Sequence, residues 1–293
     1  MTLETPSRAE LRPIRLELSQ SERDALNSAV QALQATASAD NLFSLGVELS
    51  TIFPSRILEA FKLLKDGSHR VALIHISGLP PSKVEGFKKE GFSSELILAA
   101  VAHLLGRPFV ATNHRDGSPF LNLIPRRVDK GKQLGTGTEL EWHSEDAHLD
   151  HAARFICLLG LRGDPQAKTL VSLLNAATLT DDEWAKVLRS QKILIRSDDS
   201  YSETMVSGAP TLSHSPSDAY RIRFDPEFTL YPGPEVQCAL DQFKKKLEST
   251  AYTVTVGAGD LLVFNNYLCA HKRSDFTPSY ADTDRWVQRI MVS

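Results

Sequence analysis

The chain has few cysteines, no surplus of positive charge and no long apolar run. Its three cysteines are widely spaced and form no CxxC pair, which argues against a disulfide framework and against a thiolate zinc site. The formal net charge of -3 leaves no basic surplus for phosphates, which argues against nucleic acid as the main partner. We therefore expect a small-molecule ligand and a reducing compartment.

Two further absences concern location and domain organisation. No segment approaches the roughly 18 apolar residues of a membrane span, and the N-terminal segment has no apolar core of signal-peptide length. We therefore expect a cytoplasmic protein that contacts no membrane. The sequence has no internal repeat and no Gly-Ser or Pro-rich linker, so a single domain over residues 1–293 is more economical than two.

Helical periodicity dominates the first third of the chain. Ser19 and Glu22 have the spacing of a capping box, and apolar residues recur after them at helical spacing. The predicted elements are a helix from Ser19 to about Ser38, a helix from Ser55 to Lys65 that ends before Gly67, a strand from Val71 to Ile76, and a helix from Ser93 to Leu105 capped at Ser93 or Ser94 and closed by Gly106.

After Pro108 the pattern changes to short apolar runs between Gly, Pro, Asn and Asp clusters, which is typical of a sandwich or jelly roll. We predict a mixed α+β fold, with a jelly-roll (double-stranded β-helix) core over about 108–293 and a mainly helical N-terminal layer over about 1–107. Helices are predicted from Thr180 to Ser190 and from Pro234 to Glu248. The predicted strands are Phe109 to Ala111, Phe120 to Ile124, Phe155 to Leu161, Thr169 to Leu173, Ile193 to Ile195, Tyr220 to Phe224, Tyr252 to Val256, Leu261 to Phe264 and Trp286 to Val292.

The segment from Trp142 to Glu145 contains the most informative pair of residues. His143 and Glu145 are two residues apart, and such side chains share a face of a strand, whereas Trp142 should face away into the core. With a second imidazole from His271, they would form a 2-His-1-carboxylate set, which suits Fe(II) and leaves coordination positions open. A His-x-Glu pair alone is also common as two neighbours on a polar strand.

Distant segments make the pair more specific. A Gly259-Asp260 turn leads into an apolar strand, and His271 and Arg285 follow in that order. These residues, with the blocks 139–148, 158–164 and 167–172, resemble the clavaminate synthase-like branch of the Fe(II)- and 2-oxoglutarate-dependent oxygenases, within the taurine dioxygenase-like superfamily. That branch includes hydroxylases of free arginine, asparagine and lysine. The resemblance runs from about Thr112 to the C-terminus.

The resemblance implies a role for each matching residue. His143, Glu145 and His271 would hold Fe(II), Thr169 would contact 2-oxoglutarate, and Arg285 would pair with the far carboxylate of 2-oxoglutarate, which suits a planar guanidinium. Further parallels concern the amino-acid substrate. They imply that Arg289, which shares a strand face with Arg285, holds the substrate carboxylate. They also imply substrate contacts at Asn113 and Asp225. The alternatives are that Asn113 belongs to a solvated turn and that Asp225 forms a surface pair with Arg223.

Several neighbouring features have plainer explanations. His148 and His151 do not fit the HExxH spacing of metalloproteases, so we expect supporting or surface roles for them. The polar segment from Ser197 to Gly208 is long enough to cover an active site and otherwise is a mobile loop. The residues Asn265-Asn266-Tyr267 depart from the Asp-Asn that the family usually has before its distal histidine.

The function implied is hydroxylation of a free amino acid or a small amino-acid-derived metabolite, with 2-oxoglutarate and O2 converted to succinate and CO2. A ligating Glu145 disfavours halogenation, because the iron halogenases of this superfamily leave the carboxylate position to chloride. Three alternatives stay open. The first is that the same chemistry ends in desaturation or ring closure, and the second is that the substrate is a tethered amino acid or a peptide. The third is a non-catalytic jelly-roll binding protein whose site holds a structural metal or none.

Overall fold

Helices and strands are both present in the structure, a computed structural model that describes residues 11–67, 70–110, 117–125, 139–180, 182–198, 200–213 and 221–293. Within these described ranges, four helices lie in the N-terminal third, of which the sequence predicts three, and two more interrupt the later strands, as predicted. Among the described residues no helix is long and apolar enough to cross a membrane. The helices are α1 (Gln20–Gln34), α2 (Leu42–Ser50), α3 (Ser55–Asp66), α4 (Ser93–Leu105), α5 (Glu183–Ser190) and α6 (Pro234–Ser249).

In the part of the chain that the structure describes, the strands form two main sheets and three short antiparallel pairs. They are β1 (Arg12–Glu17), β2 (Val71–Ser77), β3 (Val84–Glu85), β4 (Lys88–Lys89), β5 (Phe120–Leu123), β6 (Leu140–His143), β7 (Phe155–Arg162), β8 (Lys168–Ser172), β9 (Ile193–Arg196), β10 (Val206–Ala209), β11 (Leu212–Ser213), β12 (Arg221–Ile222), β13 (Ala251–Thr255), β14 (Leu261–Asn265), β15 (His271–Arg273) and β16 (Trp286–Val292).

The larger sheet has six strands in the order β1-β2-β14-β7-β16-β5, and the smaller has four in the order β13-β8-β15-β6. Within these two sheets every neighbouring pair is antiparallel except β1 with β2, which is parallel. The short pairs are β3 with β4, β9 with β10 and β11 with β12, and all three are antiparallel.

Strand β7 shows how the layers pack, because its side chains are buried on both faces of the large sheet. Phe155, Cys157 and Leu159 point into a core shared with helices α1 to α4. Ile156 and Leu158 point the other way, into a core shared with β8 and β13 of the small sheet. A third core lies on the outer side of the small sheet, against α5 and α6. The small sheet therefore lies between the large sheet and these two helices.

Local sequence explains several boundaries. At the start of α1, the Ser19 hydroxyl accepts a hydrogen bond from the Glu22 N–H at 3.3 Å, and the Ser19 N–H donates to the Glu22 carboxylate at 2.7 Å. This is the predicted capping box. Helix α3 ends at Gly67, which adopts a φ of 66°, as a left-handed cap requires. The predicted serine cap of α4 is wrong, since Phe92 is the capping residue and makes no side-chain cap.

Other predicted elements need correction. Strand β1 and helix α2 were not predicted from the sequence. The N-terminal region is also more than a helical layer, because it contributes β1 and β2 to the large sheet. Of the predicted strand from Phe109 to Ala111, the two described residues form no strand, although the Phe109 N–H donates to the Met291 carbonyl. The helix predicted from Thr180 begins at Glu183. The strand predicted to end at Phe224 ends at Ile222.

Candidate metal centre

Two histidines meet across a pair of strands in the small sheet. His143 is the last residue of β6, His271 is the first residue of β15, and the two face each other in the antiparallel ladder. Their ring centroids are 4.1 Å apart. One Glu145 carboxylate oxygen lies 3.7 Å from Nε2 of His271 and 4.0 Å from Nε2 of His143. One ligand atom from each of these three residues lies within 4.8 Å of the others, so the structure brings the predicted set together.

Glu145 lies in a turn and not in the strand that the sequence predicted for it. Strand β6 ends at His143, and Glu145 belongs to the turn that follows. The next residue, Asp146, has a φ of 52°, which is a left-handed backbone conformation that Asp tolerates better than most residues. The argument from one shared strand face is therefore wrong for Glu145. A turn, and not the pleat of a strand, brings its carboxylate to the imidazoles.

Hydrogen bonding and burial prepare both imidazoles to act as ligands. Nδ1 of His143 lies 2.7 Å from the Glu141 carbonyl, which can only accept, so Nδ1 donates this hydrogen bond and Nε2 is the nitrogen left to bind a metal. Burial, together with the neighbouring His143, lowers the pKa of His271 well below its ordinary value. His271 is therefore neutral at physiological pH, as a metal ligand must be.

The Glu145 carboxylate is held in its charged form. Burial alone would favour the protonated acid, but the positive charge of Arg289 and the two nearby histidines lower the pKa of Glu145 to about 2. Arg289 forms a buried ion pair with one carboxylate oxygen, while the other faces the imidazoles. Two neutral imidazoles and one carboxylate are a donor set that fits Fe(II).

Arg285 lies just before β16, the strand that carries Arg289, and it is 5% exposed. Its Nε has no hydrogen-bond partner among the described residues. Burial and the charge of Arg273 lower the pKa of Arg285 to about 10, so the guanidinium remains charged at neutral pH. Two close cations and an unused buried donor fit the carboxylate of an anionic cosubstrate. The buried Thr169 lies opposite Arg273 in the ladder of β8 and β15, which places it beside this group.

The predicted substrate contacts have different outcomes. Asn113 lies outside the described residues. Burial raises the pKa of Asp225 to about 6, against the opposing effect of His143. The alternative of a surface pair between Asp225 and Arg223 is wrong, because Arg223 is buried and pairs with Asp150 at 2.8 Å.

A pair of hydrogen bonds ties the metal site to the segment that carries Asp225. The Ser144 N–H donates to the Phe224 carbonyl at 2.7 Å, and the Phe224 N–H donates to the Ser144 hydroxyl at 2.9 Å. Ser144 lies between the two ligands of β6 and its turn. The only signal in the sequence was a serine between two predicted ligands, and this signal did not reveal the contact with Phe224.

Strand β10 begins within the predicted segment from Ser197 to Gly208 and pairs with β9. Tyr201 of this segment is buried, and the Tyr201 hydroxyl donates to the Asp146 carboxylate at 2.6 Å. The Tyr201 ring also packs edge-on against His148, with the centroids 4.6 Å apart. Burial and the charge of Glu145 raise the pKa of Asp146 to about 7. This segment therefore contacts the turn of Glu145, a contact that sequence reasoning missed.

Other neighbours behave as expected. Trp142 is fully buried in the core against α5 and α6, on the side away from the ligands. Its indole N–H donates to Glu248. His148 and His151 lie outside the group of residues that could hold a metal ion, so neither adds a ligand to it.

The sequence is similar to those of known oxygenases and hydroxylases. The family model described as "Taurine catabolism dioxygenase TauD, TfdA family" matches residues 46–291. The chain is 29% identical over 227 residues to L-asparagine oxygenase of Streptomyces coelicolor, a match that covers 73% of this chain and 67% of that protein. It is 25% identical over 223 residues to enduracididine beta-hydroxylase of Streptomyces hygroscopicus, covering 66% of this chain and 65% of the relative. The matches thus span about two thirds of the relatives' own length.

A solved structure extends the similarity to nearly the whole chain. The non-heme iron oxygenase OrfP, crystallised with Fe, succinate and (3S)-hydroxy-L-Arg, superposes with a TM-score of 0.79 at 26% sequence identity. The superposition covers 95% of this chain and 93% of OrfP. With the family model matching most of the sequence, the chain belongs to the TauD, TfdA family of dioxygenases.

Proposed function

We propose that this protein is an Fe(II)- and 2-oxoglutarate-dependent oxygenase that hydroxylates a free amino acid or a small amino-acid-derived metabolite. The observation that carries the proposal is the convergence of His143, Glu145 and His271 on one point. The partnerless Nε of the buried Arg285 supports an anionic cosubstrate. Membership of the dioxygenase family and the printed names of the relatives point the same way.

Each residue has a defined task in the proposed reaction. His143 and His271 bind the metal through neutral imidazoles, and Glu145 binds it through a carboxylate that stays ionised. Arg285 and Thr169 hold the far carboxylate of 2-oxoglutarate and so fix the orientation of the cosubstrate. When bound, iron with 2-oxoglutarate and O2 supplies the oxidising chemistry, and the cosubstrate leaves as succinate and CO2.

Likeness to the relatives supports the proposed substrate contacts. Arg289 would hold the substrate carboxylate, which would then share this guanidinium with Glu145. Asp225, tied to the metal site through Phe224 and Ser144, would contact the rest of the substrate, and Asn113, outside the described residues, would add a further contact. The relatives that act on amino acids by name, and the hydroxy-arginine bound to OrfP, support an amino-acid substrate.

The proposed protein has a double-stranded β-helix core, forms one domain and is cytoplasmic. Two mainly antiparallel sheets that enclose a common core support a double-stranded β-helix, and cores shared between layers support one domain over residues 1–293. All three cysteines are free thiols, which supports a reducing compartment such as the cytoplasm.

Succinate formation tests the proposed activity. Purified protein with Fe(II), ascorbate and 2-oxoglutarate should form succinate when the right amino acid is supplied, and a screen over proteinogenic and common nonproteinogenic amino acids would identify it. His143→Ala should abolish this activity because one of the two imidazole ligands is lost. Full activity of the wild type after iron removal would contradict the proposal.

Two further measurements test the alternative reactions and substrates. Mass analysis of the product would separate hydroxylation from desaturation and ring closure. A parallel screen of carrier-tethered amino acids would test whether the substrate is tethered.

A further inference from the structure

The Asn266 side chain forms hydrogen bonds with both backbone polar groups of Glu145, its N–H and its carbonyl. Its side-chain oxygen accepts a hydrogen bond from the Glu145 N–H at 2.8 Å. Its side-chain nitrogen donates to the Glu145 carbonyl at 3.1 Å and to the Ala153 carbonyl at 2.9 Å. Asn266 is 2% exposed. All three hydrogen bonds of the amide are therefore made inside the protein, and two of them go to Glu145.

The chemistry of these partners explains why the residue is an asparagine. One partner is an N–H group, which needs an acceptor, and two are carbonyls, which need donors. Only a primary amide offers an acceptor and two donors on one short side chain. An aspartate would match the Glu145 N–H but would place a carboxylate oxygen against the two carbonyls.

Asn266 also links the two segments that carry ligands from opposite ends of the sequence. It directly follows β14 and begins the turn that leads to His271. Its own N–H donates to the Arg154 carbonyl at 2.7 Å, just before β7. The turn of Glu145 is thus fastened to the connection that delivers His271. Glu145 lies outside any strand ladder, so this amide supplies the backbone restraint that a strand would otherwise provide.

We propose that Asn266 is a positioning residue of the metal centre. It holds the Glu145 carboxylate where this group and His271 can bind the same metal ion. The proposal rests on the metal site described under the proposed function. Groups that orient metal ligands typically change metal affinity by about 10-fold to 100-fold when they are removed. Asn266 acts through the backbone of Glu145 and touches neither the metal nor a substrate.

The test measures binding of Mn(II) alone, by the loss of the free-ion electron paramagnetic resonance signal, in wild type, Asn266→Ala and Asn266→Asp. Tyr267→Phe is the matched control. Tyr267 is the next residue, and its hydroxyl donates to the Ala152 carbonyl at 3.0 Å, so this variant loses a bond between the same two segments without touching Glu145. We expect Asn266→Ala and Asn266→Asp to bind Mn(II) about 10-fold to 100-fold more weakly, and Tyr267→Phe to bind within about 2-fold of wild type.

A second readout separates positioning from general support of the fold. Loading with Co(II) should give Asn266→Ala a visible absorption spectrum different from that of wild type, because the carboxylate no longer sits in the same geometry, whereas Tyr267→Phe should match wild type. If the Asn266 variants keep wild-type Mn(II) affinity and the wild-type Co(II) spectrum and only melt at lower temperature, Asn266 is structural and the inference is wrong. If wild type itself binds no Mn(II), or His143→Ala binds it equally well, the metal site and the proposed function fail instead.

Discussion

Arg285 offers the clearest prediction for a single side chain. Its guanidinium is buried near the charge of Arg273, and its Nε donor has no partner among the described residues. A planar carboxylate, which accepts two parallel hydrogen bonds, is a suitable partner for it. Lysine in its place keeps a charge but loses the two-pronged donor. We expect Arg285→Lys to raise KM for 2-oxoglutarate by roughly 10-fold or more, since a charged hydrogen bond contributes about 1.5–3 kcal/mol. Steady-state kinetics with the amino acid saturating measures this, and an unchanged KM would contradict the assigned role.

Asp225 should reduce stability at neutral pH. Burial raises its pKa from 3.8 to about 6, so the folded protein holds this proton up to a higher pH than the unfolded chain does. The free energy of unfolding therefore falls as pH rises from about 4 to about 6, and stays lower above that. We expect Asp225→Asn to raise stability at pH 8 by about 1 kcal/mol, a figure reduced because the side chain is partly exposed, with a smaller gain at pH 5.

Thermal unfolding at the two pH values measures this effect. Asp241→Asn, at an exposed position on α6, serves as the control for loss of a surface carboxylate. A gain of equal size at pH 5 and pH 8 would argue against a raised pKa as its cause. If Asp225 also contacts the substrate, the same variant should lose activity as it gains stability.

The sequence revealed some site residues better than others. His143, His271 and Arg285 follow or precede recognisable strands in an order that the family shares, so they could be predicted. Glu145 was predicted to be a ligand for a partly wrong reason, because a turn after β6 carries it. Asn266 makes its bonds with backbone groups, which can belong to any residue type and leave no mark in the sequence.

At the scale of elements, Gly160 in β7 marks a close approach between backbones. Its N–H donates to the Asp260 carbonyl at 2.9 Å, and a Cβ added there would overlap the Gly257 carbonyl oxygen. We expect Gly160→Ala to destabilise the protein by about 2 kcal/mol or more, because backbone atoms cannot move aside cheaply. Gly208→Ala in β10 is the control, since an added Cβ meets only the flexible Leu194 side chain. Equal unfolding temperatures of the two variants would contradict this account.

Burial decides which elements the sequence could predict. Strand β16, buried along its full length, is an unbroken apolar run apart from Gln288 and Arg289, and its predicted bounds are confirmed. Strand β1 is an edge strand that alternates between exposed and half-buried residues and contains Pro13, so no apolar pattern marks it. Helix α2 packs closely on α4 through Gly46, and a glycine within a short apolar segment does not indicate a helix.

At the scale of the whole molecule, metal and cosubstrate should stabilise the fold in two steps. A ligand that binds only the folded state at 100 times its Kd adds about 2.7 kcal/mol. We expect Mn(II) to raise Tm by a few degrees, and 2-oxoglutarate to raise it further. His143→Ala should lose both increments, while Arg285→Lys should keep the first and lose most of the second. Equal increments in wild type and His143→Ala would show that both ligands bind elsewhere.

The order of strands in the large sheet has a consequence for synthesis of the chain. Strand β7 lies between β14 and β16, and both of these neighbours come much later in the sequence. Until they leave the ribosome, β7 presents apolar side chains on two faces with no neighbour to pair with. Pairing between such distant segments is also slow. A nascent chain therefore passes through an aggregation-prone stage, and we expect its yield to depend on chaperones and on the temperature of expression.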